Sequence, residues 1–176
     1  MTHLLQYLQI LPANPTHAAL LSQLSSKTFY DTYAHANTKE DMDQYISEHF
    51  TEEEIRQEIN DKHIFLFIAF SEGKAMGYVK LGTATSPEQL GGKSAMEIER
   101  VYVEKEFQSK NIGAALLKHS IAFAKEKKVK VLWLGVWKNN SRAIKFYERE
   151  GFKKFGTKPF TLGRDLQEDF MMKMEL

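Results

Sequence analysis

The sequence predicts an α/β protein built on one mixed, twisted sheet of about seven strands with helices on both faces. Two observations carry this. Short stretches of two-residue alternation or continuous apolar character are interleaved with stretches of three- and four-residue periodicity, in the order βααα-ββ-βα-βα-ββ. The chain has 176 residues, 43% of them hydrophobic. That is enough for one sizeable core and too little for two ordinary domains, so residues 1–176 read as a single domain.

Each element has its own signal. Leu4 to Leu11 reads as a strand, and Pro12 to Pro15 as a turn into a helix, with Asn14 placed to cap it and Pro15 in its first turn. Leu20, Leu21 and Leu24 give that helix an apolar stripe. Thr38 before Asp41, and Thr51 three before Glu54, start two further short helices. His63 to Phe70 and Lys74 to Thr83, separated by the turn Ser71 to Gly73, form a hairpin, followed by a loop from Ser86 to Gly92. Ser94 to Val103 alternates as a strand. Ile112 to Lys128 is a helix striped by Ile112, Leu116, Ser120 and Phe123, with lysines crowded toward its C-terminal end. Val129 to Val136 is a buried strand, and Asn140 to Glu150 a helix ended by Gly151. Strands near Phe152 to Thr157 and Phe170 to Glu175 close the chain.

Composition excludes several classes. A net charge of +1 gives no global pull toward nucleic acid or membrane, and the absence of cysteine removes disulfides, thiolate metal sites and cysteine nucleophiles. The six histidines lack metal-ligand spacing, so no metal is expected. The N-terminal residues lack the basic region of a signal peptide, and no apolar run reaches the length of a membrane span; a cytoplasmic location is expected. Charge is nonetheless segregated. Asp31 to Asp61 holds ten carboxylates against Lys39 and Arg56, and Lys105 to Lys130 holds seven lysines against two glutamates. Both read as solvated helix faces or, functionally, as a cationic ligand near the first and an anionic one near the second.

The sharpest local feature is Gln108-Ser109-Lys110-Asn111-Ile112-Gly113-Ala114, between a strand and a helix. Small residues there leave backbone N–H groups open at the positive end of the helix dipole, an arrangement that binds a diphosphate or simply permits close packing. No GK[ST] follows, so it is not a P-loop.

Read with Glu97-Ile98-Glu99-Arg100-Val101-Tyr102-Val103 upstream and Asn140-x-x-Ala143-x-x-Phe146-Tyr147-x-x-x-Gly151-Phe152 downstream, this loop resembles the pyrophosphate element of the GNAT acetyltransferases. The downstream motif is similar to that family's next helix and strand. One position departs: Asn111 stands where the family has its first loop glycine, and asparagine tolerates positive φ better than other residues with a side chain. Phe29-x-Asp31-Thr32-Tyr33, Glu97-x-Glu99-Arg100, Trp133-Leu134-Gly135-Val136-Trp137 and Gly163-x-Asp165-x-Gln167-x-Asp169 further resemble bacterial spermidine/spermine acetyltransferases of the PaiA type.

The resemblance implies a GNAT fold and transfer of an acetyl group from acetyl-CoA to a primary amine in a ternary complex, the acceptor being a polyamine such as spermidine or spermine. It implies a bulged strand whose backbone at Val101, Tyr102 and Val103 bonds the pantetheine arm, and a diphosphate held by Gln108, Ser109, Lys110, Asn111, Ile112, Gly113 and Ala114. Asn140 would bond the cofactor arm and Ala143 leave room for it. Tyr147, a phenol protonated at neutral pH, is the candidate acid for the leaving thiolate, and Glu97 and Glu99 are candidate bases. Arg100 is expected on the opposite face from them. The acidic segment suggests Asp31, Glu40 and Asp41 as acceptor contacts. Trp133 and Trp137 read as core or sheet surface. A protein or peptide amine, an amine antibiotic, a non-catalytic acyl-CoA-binding module and a homodimer all remain open.

Overall fold

The computed structural model describes residues 6–84 and 86–176. In chain order the elements are β1 (Gln9–Pro12), α1 (Ala18–Tyr33), α2 (Lys39–His49), α3 (Glu52–Asn60), β2 (Ile64–Ser71), β3 (Lys74–Gly82), β4 (Ala95–Val103), α4 (Ile112–Glu126), β5 (Val131–Trp137), α5 (Ser141–Arg149), β6 (Lys153–Leu162) and β7 (Asp165–Glu175). The order of elements is the one the sequence predicts. The first strand is shorter than expected, and the expected positions Leu4 and Leu5 lie outside the described residues.

The strands form one seven-stranded sheet in the order β1-β2-β3-β4-β5-β7-β6. Every neighbouring pair is antiparallel except β4 and β5. The two faces carry separate apolar layers. Against α4 and α5 pack Val79, Leu81, Met96, Ile98, Leu132 and Leu134 with Ile112, Leu116 and Ile144. Against α1–α3 pack Leu66, Ile68 and Tyr78 with Leu21, Leu24, Phe29, Met42 and Ile55. Alternation along the strands sends successive side chains to these two layers, which is why the sheet is covered on both sides.

The helix starts follow from their caps. Thr38 and Thr51 accept from the backbone N–H of Asp41 and Glu54, each at 3.2 Å. Asn14 caps a single 3-10 turn, Pro15–His17, which leads directly into α1. The last hairpin is longer than the sequence suggested, pairing from Lys153↔Lys173 to Leu162↔Asp165. Pro159 and the polar stretch before Phe170 mask it in the sequence. Because β6 is the sheet edge, a proline there interrupts no essential ladder.

One irregularity shapes the middle of the sheet. Lys80 pairs with Arg100 but Leu81 pairs with Ile98, so Glu99 is a bulged extra residue in β4. Arg100, expected on the opposite face from Glu99, is thereby turned to the same side. Glu58 of α3 accepts from Lys80 Nζ at 2.6 Å and Arg100 Nη1 at 2.9 Å, and Lys80 also pairs with Glu99 at 2.7 Å. The Arg100 guanidinium lies 4.8 Å from the Phe50 ring centroid. Two acids and two bases, mostly buried, thus pin α3 to the bulge.

Breaking a buried ion pair by removing one partner costs about 3–5 kcal/mol. Glu58→Ala is expected to lower stability by at least about 3 kcal/mol, read in a thermal melt as a drop in Tm of roughly 6–12 °C. A change below about 2 °C would mean that the bulge is held by its backbone alone.

Candidate active site

Beyond the bulge, β4 loses β5. The parallel pairing covers only Ala95–Ile98 against Val131–Leu134, after which the two strands part. The gap opens into a cavity of about 1180 Å³ walled by β4, the loop after it, the N-terminal turn of α4, the end of β5, α5 and, on the other side, α1. Antiparallel bonding alternates along a strand. The N–H of Glu104 donates to Met76 O of β3 at 2.9 Å, so Val101 and Val103 direct their backbone groups the other way, into the gap. Tyr102 differs from the sequence reading here: its backbone faces β3, and what it brings to the cavity is its ring, whose hydroxyl is 3.5 Å from that of Tyr33.

The loop carries an open amide cradle. Asn111 is left-handed, φ 64°, and its side chain makes no cap to α4. The first intrahelical bond is Ala115 N–H to Asn111 O, at 3.0 Å, so the N–H groups of Ile112, Gly113 and Ala114 have no partner within the helix. These groups and the positive end of the helix dipole suit a diphosphate. Gln108, Ser109, Asn111, Gly113 and Ala114 line the cavity, whereas Lys110 and Ile112 do not. Lys110 lies over the Phe107 ring and Ile112 points into the core, leaving each only its backbone to offer. Gln108 Nε2 donates to Val103 O at 3.2 Å, tying the loop to the end of β4.

Asn140 is the N-cap of α5, not a residue within it; its Oδ1 accepts from Ala143 N–H at 3.1 Å, and both residues border the cavity. Tyr147 lies one helical turn beyond Ala143, buried against Phe146 and Phe152 and reaching the cavity wall. Burial pushes its phenol well above the ordinary value, and nearby Tyr33 adds to this, so it is a protonated donor throughout the neutral range.

The charged residues are not where their sequence clusters suggest. None of the seven lysines from Lys105 to Lys130 lines the cavity; its basic residues there are Arg142, Lys145 and Arg149 of α5, beside Glu150. Arg142 bonds Gln108 Oε1 at 2.9 Å and Ser109 Oγ at 3.3 Å, bridging α5 to the loop. Of the ten acidic-segment carboxylates only Asp31 lines the cavity. Glu40 is exposed in the first turn of α2. Asp41 is committed elsewhere: it accepts from Thr38 Oγ1 at 2.7 Å and Arg164 N–H at 3.2 Å, and it packs on Gly163 so closely that a β-carbon there would overlap it. These bonds hold its carboxyl below the usual range. Its role is to clamp the β6–β7 turn, φ 58° at Gly163, onto α2.

Glu97 is buried outside the cavity and paired with Lys158 of β6 at 2.9 Å; Glu99 reaches the cavity wall. The sequence reading missed Tyr33, Trp137 and Asp169 as cavity residues. Trp137 meets Tyr33 edge-on at 6.1 Å, whereas Trp133 is core, with Met171. Asp169 shares the buried face of β7 with Met171, two residues on, so strand alternation alone could have marked it as an inward-facing acid. Burial raises its carboxyl to about 6, Glu97 adding to the rise and Lys158 opposing it. Among the described residues no cluster of three or more His, Asp or Glu is placed to hold a metal ion, and no helix is long and apolar enough to cross a membrane.

A bulged strand parting from its parallel neighbour above an amide cradle defines an acyl-CoA-type transfer site, and sequence comparison agrees. Residues 26–152 match the Acetyltransferase (GNAT) family, and the chain belongs to it. It is an acetyl-CoA-dependent N-acetyltransferase. An uncharacterized N-acetyltransferase of Lactobacillus delbrueckii subsp. lactis is 33% identical over 153 residues, covering 87% of this chain and 88% of that one. The spermidine N(1)-acetyltransferase of Thermoplasma acidophilum is 26% identical over 137 residues, covering 76% and 80%. The crystal structure of PaiA N-acetyltransferase from Thermoplasma acidophilum in complex with coenzyme A shares the fold, with a TM-score of 0.79 at 22% identity over 96% of this chain and 99% of that one.

The raised carboxyl of Asp169 has a stability signature. Between its ordinary 3.8 and about 6 the folded protein holds this proton more tightly than the unfolded chain does. The group therefore costs stability increasingly as pH rises through that window, and the cost is complete above it. Asp169→Asn is expected to melt higher than the parent protein above pH 6, the difference closing as pH falls toward 4. Melting curves across pH 4–8 check this.

Proposed function

We propose that the chain acetylates the primary amine of a polyamine such as spermidine or spermine. The observation that carries this reading is the polarity of the cavity. Arg142, Lys145 and Arg149 of α5, with Glu150, line it beside the amide loop. Asp31 of α1, Asp169 of β7 and, at the bulge, Glu99 with its Lys80 partner and Arg100 with Glu58 line or border it elsewhere. Among the described residues this leaves Asp31 and Asp169 as its carboxylates without an ion-pair partner. A polycation gains from several carboxylates together, although an exposed pair contributes only about 0–1 kcal/mol. The similarity to the spermidine acetyltransferase of Thermoplasma acidophilum supports the same reading. A cytoplasmic location accords with it.

In this reading acetyl-CoA supplies the acyl group as a thioester. The N–H groups of Ile112, Gly113 and Ala114 hold its diphosphate, with Gln108, Ser109 and Asn111 framing them and Arg142 adding positive charge. The gap-facing backbone of Val101 and Val103 bonds the pantetheine amides, and Ala143 leaves room beside Asn140. Tyr147 donates its hydroxyl proton to the leaving sulfur, a role suited to a buried phenol that stays protonated.

Turnover is followed by CoA thiol release with acetyl-CoA and a panel of spermidine, spermine, simple diamines, aminoglycosides and peptides with free N-termini. The highest kcat/KM is expected with spermidine or spermine; activity confined to peptides, or cofactor binding without turnover, overturns the reading. Tyr147→Phe is expected to lower kcat on the order of 10²-fold while the Kd for CoA, measured by calorimetry, stays within about twofold. Unchanged turnover removes Tyr147 from the acid role.

A further inference from the structure

An amine acceptor reaches the enzyme as an ammonium ion, since a primary amine titrates near 10.4, and its nitrogen cannot attack until one proton has left. The two glutamates on β4 are poorly placed to take it. Glu97 is outside the cavity and paired with Lys158 at 2.9 Å, and the Glu99 carboxylate is engaged by the Lys80 ammonium at 2.7 Å.

We propose that Asp169 of β7 is the general base that deprotonates the acceptor amine. The inference rests on N-acetyl transfer to an amine, not on that amine being a polyamine. Asp169 lines the cavity yet is only 8% exposed, and its Oδ1 is fully buried without a hydrogen-bond partner. Buried carboxylate oxygens are almost always bonded, so an orphan in a cavity wall is an acceptor awaiting a donor. Neighbouring Gly135 keeps the place open: a β-carbon there would stand 3.0 Å from Asp169 Oδ2 and 2.5 Å from Lys158 Cε.

The charged and titratable groups around it come from four other elements. Lys158 of β6 and Glu97 of β4 oppose one another, their own pair at 2.9 Å, while Tyr33 of α1 and Tyr45 of α2 feel the Asp169 charge. On β5, Gly135 and Trp137 bring none. With burial as the largest influence, the carboxyl sits at about 6, ionised at neutral pH yet more basic than an exposed aspartate.

The proton account closes. The ammonium gives one proton to Asp169, and the freed nitrogen forms its bond to the acetyl carbon as the carbon–sulfur bond breaks. The sulfur takes the Tyr147 proton, and the second nitrogen proton restores Tyr147. Asp169 then releases its proton to solvent. Ammonium plus thioester become amide, thiol and one proton.

The test uses whichever panel amine turns over fastest, so the acceptor assignment can fail without deciding this one. For the full-length enzyme, kcat/KM against pH is expected to show an acid limb with its midpoint near 6, the limb of the free enzyme's base. Asp169→Asn is expected to abolish that limb and lower kcat on the order of 10²-fold, with the Kd for CoA retained and a single cooperative thermal transition, no lower than that of the parent, as evidence of an intact fold. Glu99→Gln is expected to keep the limb. Three results overturn the proposal: the limb surviving in Asp169→Asn, the limb vanishing in Glu99→Gln instead, or Asp169→Asn raising KM while kcat and the pH profile stay unchanged, which would make Asp169 an anchor for the ammonium.

Discussion

The parting of β4 from β5 is the constraint on which the rest of this structure depends. A parallel pair that stays bonded to its end would leave no opening in a sheet covered on both faces. Here the extra residue at Glu99 breaks the β3–β4 register, and pairing with β5 stops at Ile98 and Leu134. Backbone groups that a complete sheet would have consumed then face a cavity. The cavity runs through the sheet, so a cofactor cradled by α4 and α5 on one face can meet an acceptor bordered by α1 and β7 on the other.

Such an opening weakens the sheet, and the ion cluster of Glu58, Lys80, Glu99 and Arg100 sits where the weakness is. It joins α3 to both strands at the bulge. A hydrophobic cluster of similar volume can stabilise as much, but a charged one fixes the side to which Glu99 and Arg100 turn. The clamp of Asp41 on the β6–β7 turn works in the same way at the far edge, where it fixes the long hairpin that carries Lys158 and Asp169.

Stability and function pull against each other at Asp169. A buried carboxyl with an orphan oxygen is a net cost to the folded state at neutral pH. Strained or under-bonded groups of this kind persist where the packing around them leaves no alternative.

The sequence by itself determined the order of elements, the helix caps at Thr38 and Thr51, the left-handed Asn111 and the family, because each is a local property: periodicity, a capping side chain, a tolerated φ, a spacing of motif residues. It also placed Tyr147 and Ala143 on one helical face. Only the tertiary structure decided which charges matter. The acidic run of α2 and α3 turned out to be spent on solvent, on the bulge and on a turn, and the lysines of α4 on solvent, because a helix directs its side chains around its whole circumference whatever their sequence neighbours. Arg142 and Asp169 come to the cavity from segments outside either charge-rich run, brought there by helix packing and sheet order. Register decided Arg100 as well: the resemblance implied a bulge in this strand, but only the pairing put the extra residue at Glu99 and so reversed the face that simple alternation assigns to Arg100.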